Sequence, residues 1–150
     1  MIILGIDPGY AIVGYGVIEF KSNRFSVVDY GAITTNAGTP FERRLELIYD
    51  DLNLLMGKFH PEAMSIEKLF YNTNAKTVID VAQARGVTVL AAKKNNIPIF
   101  EYTPLQVKQS VVGYGRAEKK QVQEMTRIIL KLAKIPKPDD TADALAMAIC

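Results

Sequence analysis

A mixed α/β fold, one five-stranded sheet flanked by helices, is predicted by three observations. Three apolar, β-branched runs follow one another at the N-terminus with only turn-length gaps. The hydrophobic period then lengthens to three and four residues, and beyond that point short apolar runs alternate with helical segments. Residues 2–7, 13–20 and 25–34 read as strands of an antiparallel meander, separated by glycine-rich or polar turns. From Pro40 onward Phe41, Leu45, Ile48, Leu52, Leu55 and Phe59 recur at helical spacing, up to a stop near His60-Pro61. Residues 63–67 form a short strand, 74–95 a helix or pair of helices, and 97–102 a fifth strand. Thr103-Pro104 supplies an N-cap and a proline at the first helical position, and helices follow at 104–112, 118–133 and 140–150. Glycines at 113 and 115 and prolines at 136 and 138 break them. The order βββαβαβααα has no repeat, low-complexity tract or linker, so 1–150 is expected to be a single domain.

With 49% hydrophobic and 23% charged residues, and no apolar run near the eighteen or more that a membrane span needs, a soluble protein is expected. The N-terminal apolar run breaks at Asp7-Pro8 and lacks the pattern of a secretory signal. Cys150 is the single cysteine, which leaves no internal disulfide and suits the cytoplasm. The small net charge hides an asymmetry: residues 93–137 carry ten basic against three acidic side chains, and 138–150 carry three acids and no base. A polyanion-binding stretch beside a metal-binding patch fits this distribution, and so does a solvated helix surface.

The acids carry the chemistry. Asp7 closes an otherwise apolar strand, where a carboxylate is costly unless paired, hydrogen-bonded or metal-bound, although it could also cap the Pro8-Gly9 turn. Glu67 ends the fourth strand in the same way, with a surface glutamate beside Lys68 as the alternative. Asp139, Asp140 and Asp143 crowd the first turn of the last helix, more acids than capping and the helix dipole require. Asp140 and Asp143, three apart, share one face. If both strand ends meet that turn, four carboxylates converge, and like charges at short range demand cations. Oxygen-only ligands suit Mg²⁺ or Mn²⁺, not zinc. Two such ions about 4 Å apart form the clamp used in phosphodiester hydrolysis.

The segments Ile3-Leu4-Gly5-Ile6-Asp7-Pro8-Gly9, Ser65-Ile66-Glu67-Lys68-Leu69-Phe70, Gln83-Ala84-Arg85-Gly86, Gln106 through Gly115 and Asp140-Thr141-Ala142-Asp143-Ala144-Leu145 occur in an order that resembles the RuvC family of Holliday-junction resolvases. The resemblance runs over nearly the whole chain. It implies an RNase H-like fold, with catalytic and metal-binding roles for Asp7, Glu67, Asp140 and Asp143, and Mg²⁺ as cofactor. Asp140 is preferred over Asp139 because its spacing to Asp143 fits the family's D-x-x-D-A pattern, which leaves Asp139 as a cap. Lys108 and Lys119 match basic positions that the family uses near the cut strand; exposed helix lysines are the alternative. Phe70, followed by Tyr71, is expected to stack on an unpaired junction base, with a helix-start staple as the alternative. The resemblance further implies a homodimer, with the helix at 74–92 as a candidate interface, and the RuvA and RuvB branch-migration proteins as partners. The substrate is then four-way junction DNA, cut on two opposed strands.

Three rival readings remain at this level. One is another RNase H-like nuclease, acting on RNA or on a different branched DNA. An actin-like phosphotransferase using the Asp7-Pro8-Gly9 turn would normally need a longer, two-domain chain. A DNA-binding module with a vestigial centre would have no need of all four acids.

Overall fold

The computed structural model describes residues 1–69 and 76–150. Its elements, in chain order, are β1 (Ile2–Asp7), β2 (Ile12–Lys21), β3 (Arg24–Thr34), α1 (Phe41–Phe59), β4 (Ala63–Glu67), α2 (Val78–Lys94), β5 (Ile99–Tyr102), α3 (Pro104–Val111), α4 (Lys119–Ile129) and α5 (Asp139–Ile149). The sheet order is β3-β2-β1-β4-β5. The meander β1-β2-β3 is antiparallel, whereas β4 and β5 add on parallel to β1. Parallel neighbours need crossovers, and α1 and α2 provide them.

Alternation along the strands sends two sets of side chains to opposite faces. Leu4 and Ile6 of β1, Val13 and Val17 of β2, and Met64 and Ile66 of β4 pack against Ile48, Leu52 and Met56 of α1 and Ala84 and Ala91 of α2. Fully burying each large aliphatic side chain contributes about 1.5–3 kcal/mol. On the opposite face Ile18 packs with Leu145 and Ala148 of α5. Beyond it Val107 of α3 and Val122 of α4 meet Ala146 and Met147 of α5.

Several element ends differ from the sequence expectation, each for a local reason. The helix expected over 118–133 stops at Ile129. Lys131 turns into the left-handed region (φ 55°), its N–H bonding to the Ile128 carbonyl and that of Leu132 to Arg127. This double bond closes the helix without the glycine that would have signalled it. Strand β5 begins at Ile99, not at 97; Pro98 has no N–H to give a ladder, although its carbonyl accepts from Met64. α1 ends as its Pro61 suggests, with His60 left-handed and bonded to Met56. The expected cap of α3 is present: Thr103 and Gln106 form a reciprocal capping box ahead of Pro104.

Candidate active site

β1 and β4 run parallel with Ile6 beside Ile66, so the next residues, Asp7 and Glu67, leave the sheet side by side. Both belong to the face covered by α5. Two residues before Glu67, Ser65 Oγ donates to the Met147 carbonyl of α5 at 2.5 Å. Two residues before Asp7, a Cβ on Gly5 would meet the α5 backbone at Ala144 and Ala148.

Three glycines set how near α5 can come. Gly5 pairs with Gly16 and Asp7 with Gly14 across β1 and β2, which makes a smooth channel in the sheet. A Cβ at Gly14 would lie closer than 3.0 Å to the Asp140 carbonyl, and one at Gly16 would run into the Leu145 side chain. Hydrogen in place of a side chain is what lets the first turn of α5 descend onto Asp7. Thr141 Oγ1 donates to the Gly31 carbonyl of β3 at 3.1 Å and fixes that turn over the sheet.

The result is a shared electrostatic field. Asp7 is mostly buried, and that burial, followed by the charges of Asp143, Glu67 and Asp140, pushes its carboxyl up to about 9; a hydrogen bond with Asp140 adds to the rise. Without a cation, burial and its acidic neighbours thus drive Asp7 toward its protonated form. Glu67 is raised by burial and then by Asp143, with Lys119 acting against them. Asp143 is raised by burial, which outweighs the pull of Lys119.

Asp139 has a different environment. It is exposed, and Lys137, hydrogen-bonded to it at 3.1 Å, lowers its carboxyl, with Lys119 adding to the effect. Nor does it cap the helix, as the sequence suggested. Pro138 occupies the N-cap position, and Asp139 is already inside the first turn. Of the two neighbouring acids, Asp140 is the one that reaches Asp7.

Lys108 and Lys119 lie on the wall of a cleft of about 300 Å³ that also includes Glu67, Asp143, Val107 and Met147. Lys119 Nζ is 3.5 Å from Asp143 and 3.7 Å from Asp139, so it is no free-standing helix lysine. The basic block at 93–137 does not form one patch. Lys93 and Lys94 close α2, which packs on the other face of the sheet, while Arg127 pairs with Glu124 of its own helix. Phe70 and Tyr71 lie outside the described residues.

The donor set fits a hard divalent cation: four carboxylates, and a single histidine that caps α1 elsewhere. Among the described residues no three acid, histidine or thiol side chains are gathered into a ready-made ligand shell. What joins the four acids is a common field, in which Asp143, Glu67 and Asp140 each push the Asp7 carboxyl up and a cation would relieve them. The glycine channel and the Lys137–Asp139–Lys119 cluster were not singled out in the sequence. Glycines in two paired strands were the available signal for the first; the second had none.

Residues 3–150 match the family model for crossover junction endodeoxyribonuclease RuvC. A crossover junction endodeoxyribonuclease RuvC from Ruminiclostridium cellulolyticum is 64% identical over 150 residues, spanning all of this chain and 90% of the relative. The chain belongs to the RuvC family. Its counterpart in Clostridioides difficile is 59% identical over 150 residues, 89% of that protein. Among solved structures, Thermus thermophilus RuvC superposes with a TM-score of 0.92 at 32% identity, covering 99% of this chain and 92% of the other. The same protein in complex with a Holliday junction substrate gives 0.90 at 30% identity, over 99% and 91%. The five-stranded RNase H-like architecture expected from sequence is thus the architecture of the family.

Proposed function

We propose that the protein is a Holliday-junction-resolving endonuclease, making paired incisions in four-way DNA junctions by metal-dependent phosphodiester hydrolysis in recombination and repair. Chain-length similarity to RuvC enzymes supports the substrate. The observation that carries the chemistry is Asp7, a strand-end carboxyl mostly buried among three other acids and held up at about 9. Such a cluster is stable at neutral pH only with added positive charge, and cations beside a scissile phosphate are what the reaction requires.

Asp7, Glu67, Asp140 and Asp143 would hold Mg²⁺, two ions per site, with Mn²⁺ able to substitute. The bound cations supply water activation and stabilisation of the leaving 3′ oxygen. The protein's own side chains orient the strand. Lys108 and Lys119, on the cleft wall beside Glu67 and Asp143, contact backbone phosphates. Phe70 stacks on an unpaired base at the junction centre.

The chain works as one nuclease domain and as a homodimer, since a two-fold junction needs two centres related by the same axis. Helix α2 supports this reading: Ile79 and Leu90 are 67% and 53% exposed, and Gly86 between them has open space where a side chain would stand. The cytoplasm, and RuvA and RuvB as partners, follow from the same reading. Among the described residues no helix is long and apolar enough to cross a membrane. A gel assay offering four-way junction, linear duplex and RNA–DNA hybrid, each in Mg²⁺ or EDTA, tests it. Symmetric nicks in the junction alone, only with metal, are expected; cutting of the hybrid in preference would refute the substrate.

A further inference from the structure

Arg44 in α1 is 93% removed from solvent, yet among the described residues it has no acidic partner. Its Nε donates to Thr35 Oγ1 at 2.8 Å and its Nη2 to the Thr35 carbonyl at 3.4 Å. Its guanidinium lies 4.9 Å from the centre of the Tyr10 ring. Thr35 Oγ1 donates in turn to the Tyr10 carbonyl. These partners offer dipoles and a π face but no full negative charge. The neighbouring acid Glu46 is committed to Arg43. A buried cation without a counter-ion is unfavourable and is normally paired.

One nitrogen of the guanidinium is not fully enclosed. Among the described residues no fully enclosed side-chain nitrogen or oxygen lacks a partner, and Nη1 of Arg44 has no protein acceptor, so it keeps some contact with solvent. Tyr10 and Thr35, which hold the guanidinium, lie at the same end of the sheet as Asp7, with α1 on the face opposite α5. Tyr10 follows Asp7 by three residues, which keeps its Cα within about 11 Å of that of Asp7, since an extended chain spans at most about 3.3–3.6 Å per residue. Successive phosphates of a strand advance about 3.4 Å along a duplex axis.

We propose that Arg44, stacked on Tyr10 and oriented by Thr35, is a binding site for a phosphate oxyanion, and that its occupant during the reaction is a DNA backbone phosphate a few nucleotides from the scissile one. The DNA occupant rests on the proposed junction activity; the anion site itself does not. The guanidinium is the missing half of an ion pair that the substrate completes, and its fixed orientation sets the angle at which the strand enters the acid cluster.

Two arms test the site separately. In the first, metal-free full-length protein is titrated with inorganic phosphate against chloride at constant ionic strength, following the ¹⁵N resonances of the Arg44 side chain and the melting temperature. A saturable shift at Arg44 is expected, with a rise in melting temperature that Arg44→Met lacks. In the second, junction binding in EDTA is measured across salt concentrations. Arg44→Met should flatten the log–log slope by about one counter-ion while Arg44→Lys retains it. An unmoved Arg44 resonance would overturn the anion site even if both variants fail to fold. A phosphate response at Arg44 with an unchanged slope in folded Arg44→Met would keep the anion site and overturn its DNA occupant. Wild-type protein that binds phosphate but cuts no junction would count against the function and not against the site.

Discussion

Replacing Asp7 by asparagine should stabilise the metal-free protein while abolishing its nuclease activity. In the native state the carboxyl sits at about 9, against 3.8 in the unfolded chain, so between those values the folded protein holds a proton that the unfolded chain releases. Stability of the metal-free protein therefore falls as pH rises through this interval. At pH 7 the accumulated loss is about 4 kcal/mol, from roughly three pH units at about 1.4 kcal/mol each. Asparagine keeps the size of the side chain and carries no charge. It should recover much of that loss, a rise of the order of 10 °C in melting temperature for a domain this size. Melting curves in EDTA at pH 4 and pH 7 would show the variant's advantage at pH 7 and little of it at pH 4. Junction cleavage in Mg²⁺ should fall by about 10²-fold or more, and junction binding in EDTA should persist, because affinity comes mainly from phosphate contacts. An Asp7→Asn protein that melts below wild type at pH 7 would refute the electrostatic reasoning. Near-normal cleavage by that protein would refute the catalytic assignment.

Other substitutions probe the supports of the site. Gly14→Ala places a methyl against the Asp140 carbonyl and should lift the first turn of α5, costing about 1–3 kcal/mol and most of the activity; unchanged cleavage would mean that α5 need not lie so close. Lys119→Met should leave the melting temperature nearly unchanged, since its ion pairs are exposed and worth about 0–1 kcal/mol, yet slow junction cleavage. A large loss of stability instead would make Lys119 a structural residue. Phe70→Ala should remove a stacking surface worth about 1–3 kcal/mol and reduce cleavage of junctions without changing the metal requirement. Wild-type cleavage by a protein that melts much earlier would place Phe70 in the core.

Much of this molecule is legible from residue patterns because the patterns are local. Apolar, β-branched runs marked β1, β2 and β3, the three-and-four spacing marked α1, and Thr103-Pro104 marked the start of α3, each within a few residues of its place. Asp7, Glu67, Asp140 and Asp143 stood out for a similar reason: carboxylates at the ends of apolar strands and crowded at a helix start are locally costly, so each asks for a partner. Which partners they meet is not a local property. Gly5, Gly14 and Gly16 carry no side chain to advertise a role, and their meaning appears only when α5, from the far end of the chain, is laid in the channel they leave. That close approach turns Asp140 toward Asp7 and leaves Asp139 with Lys137, a distinction that adjacent identical residues cannot reveal. Arg44 likewise reads as one more charge on a helix until packing buries it against Tyr10 and Thr35 without an acid. Sequence determined the elements and the unusual residues, because propensity and period act over a few neighbours. Tertiary structure alone decided their convergence and their electrostatics, because both depend on distance and solvent exclusion between segments remote in the chain.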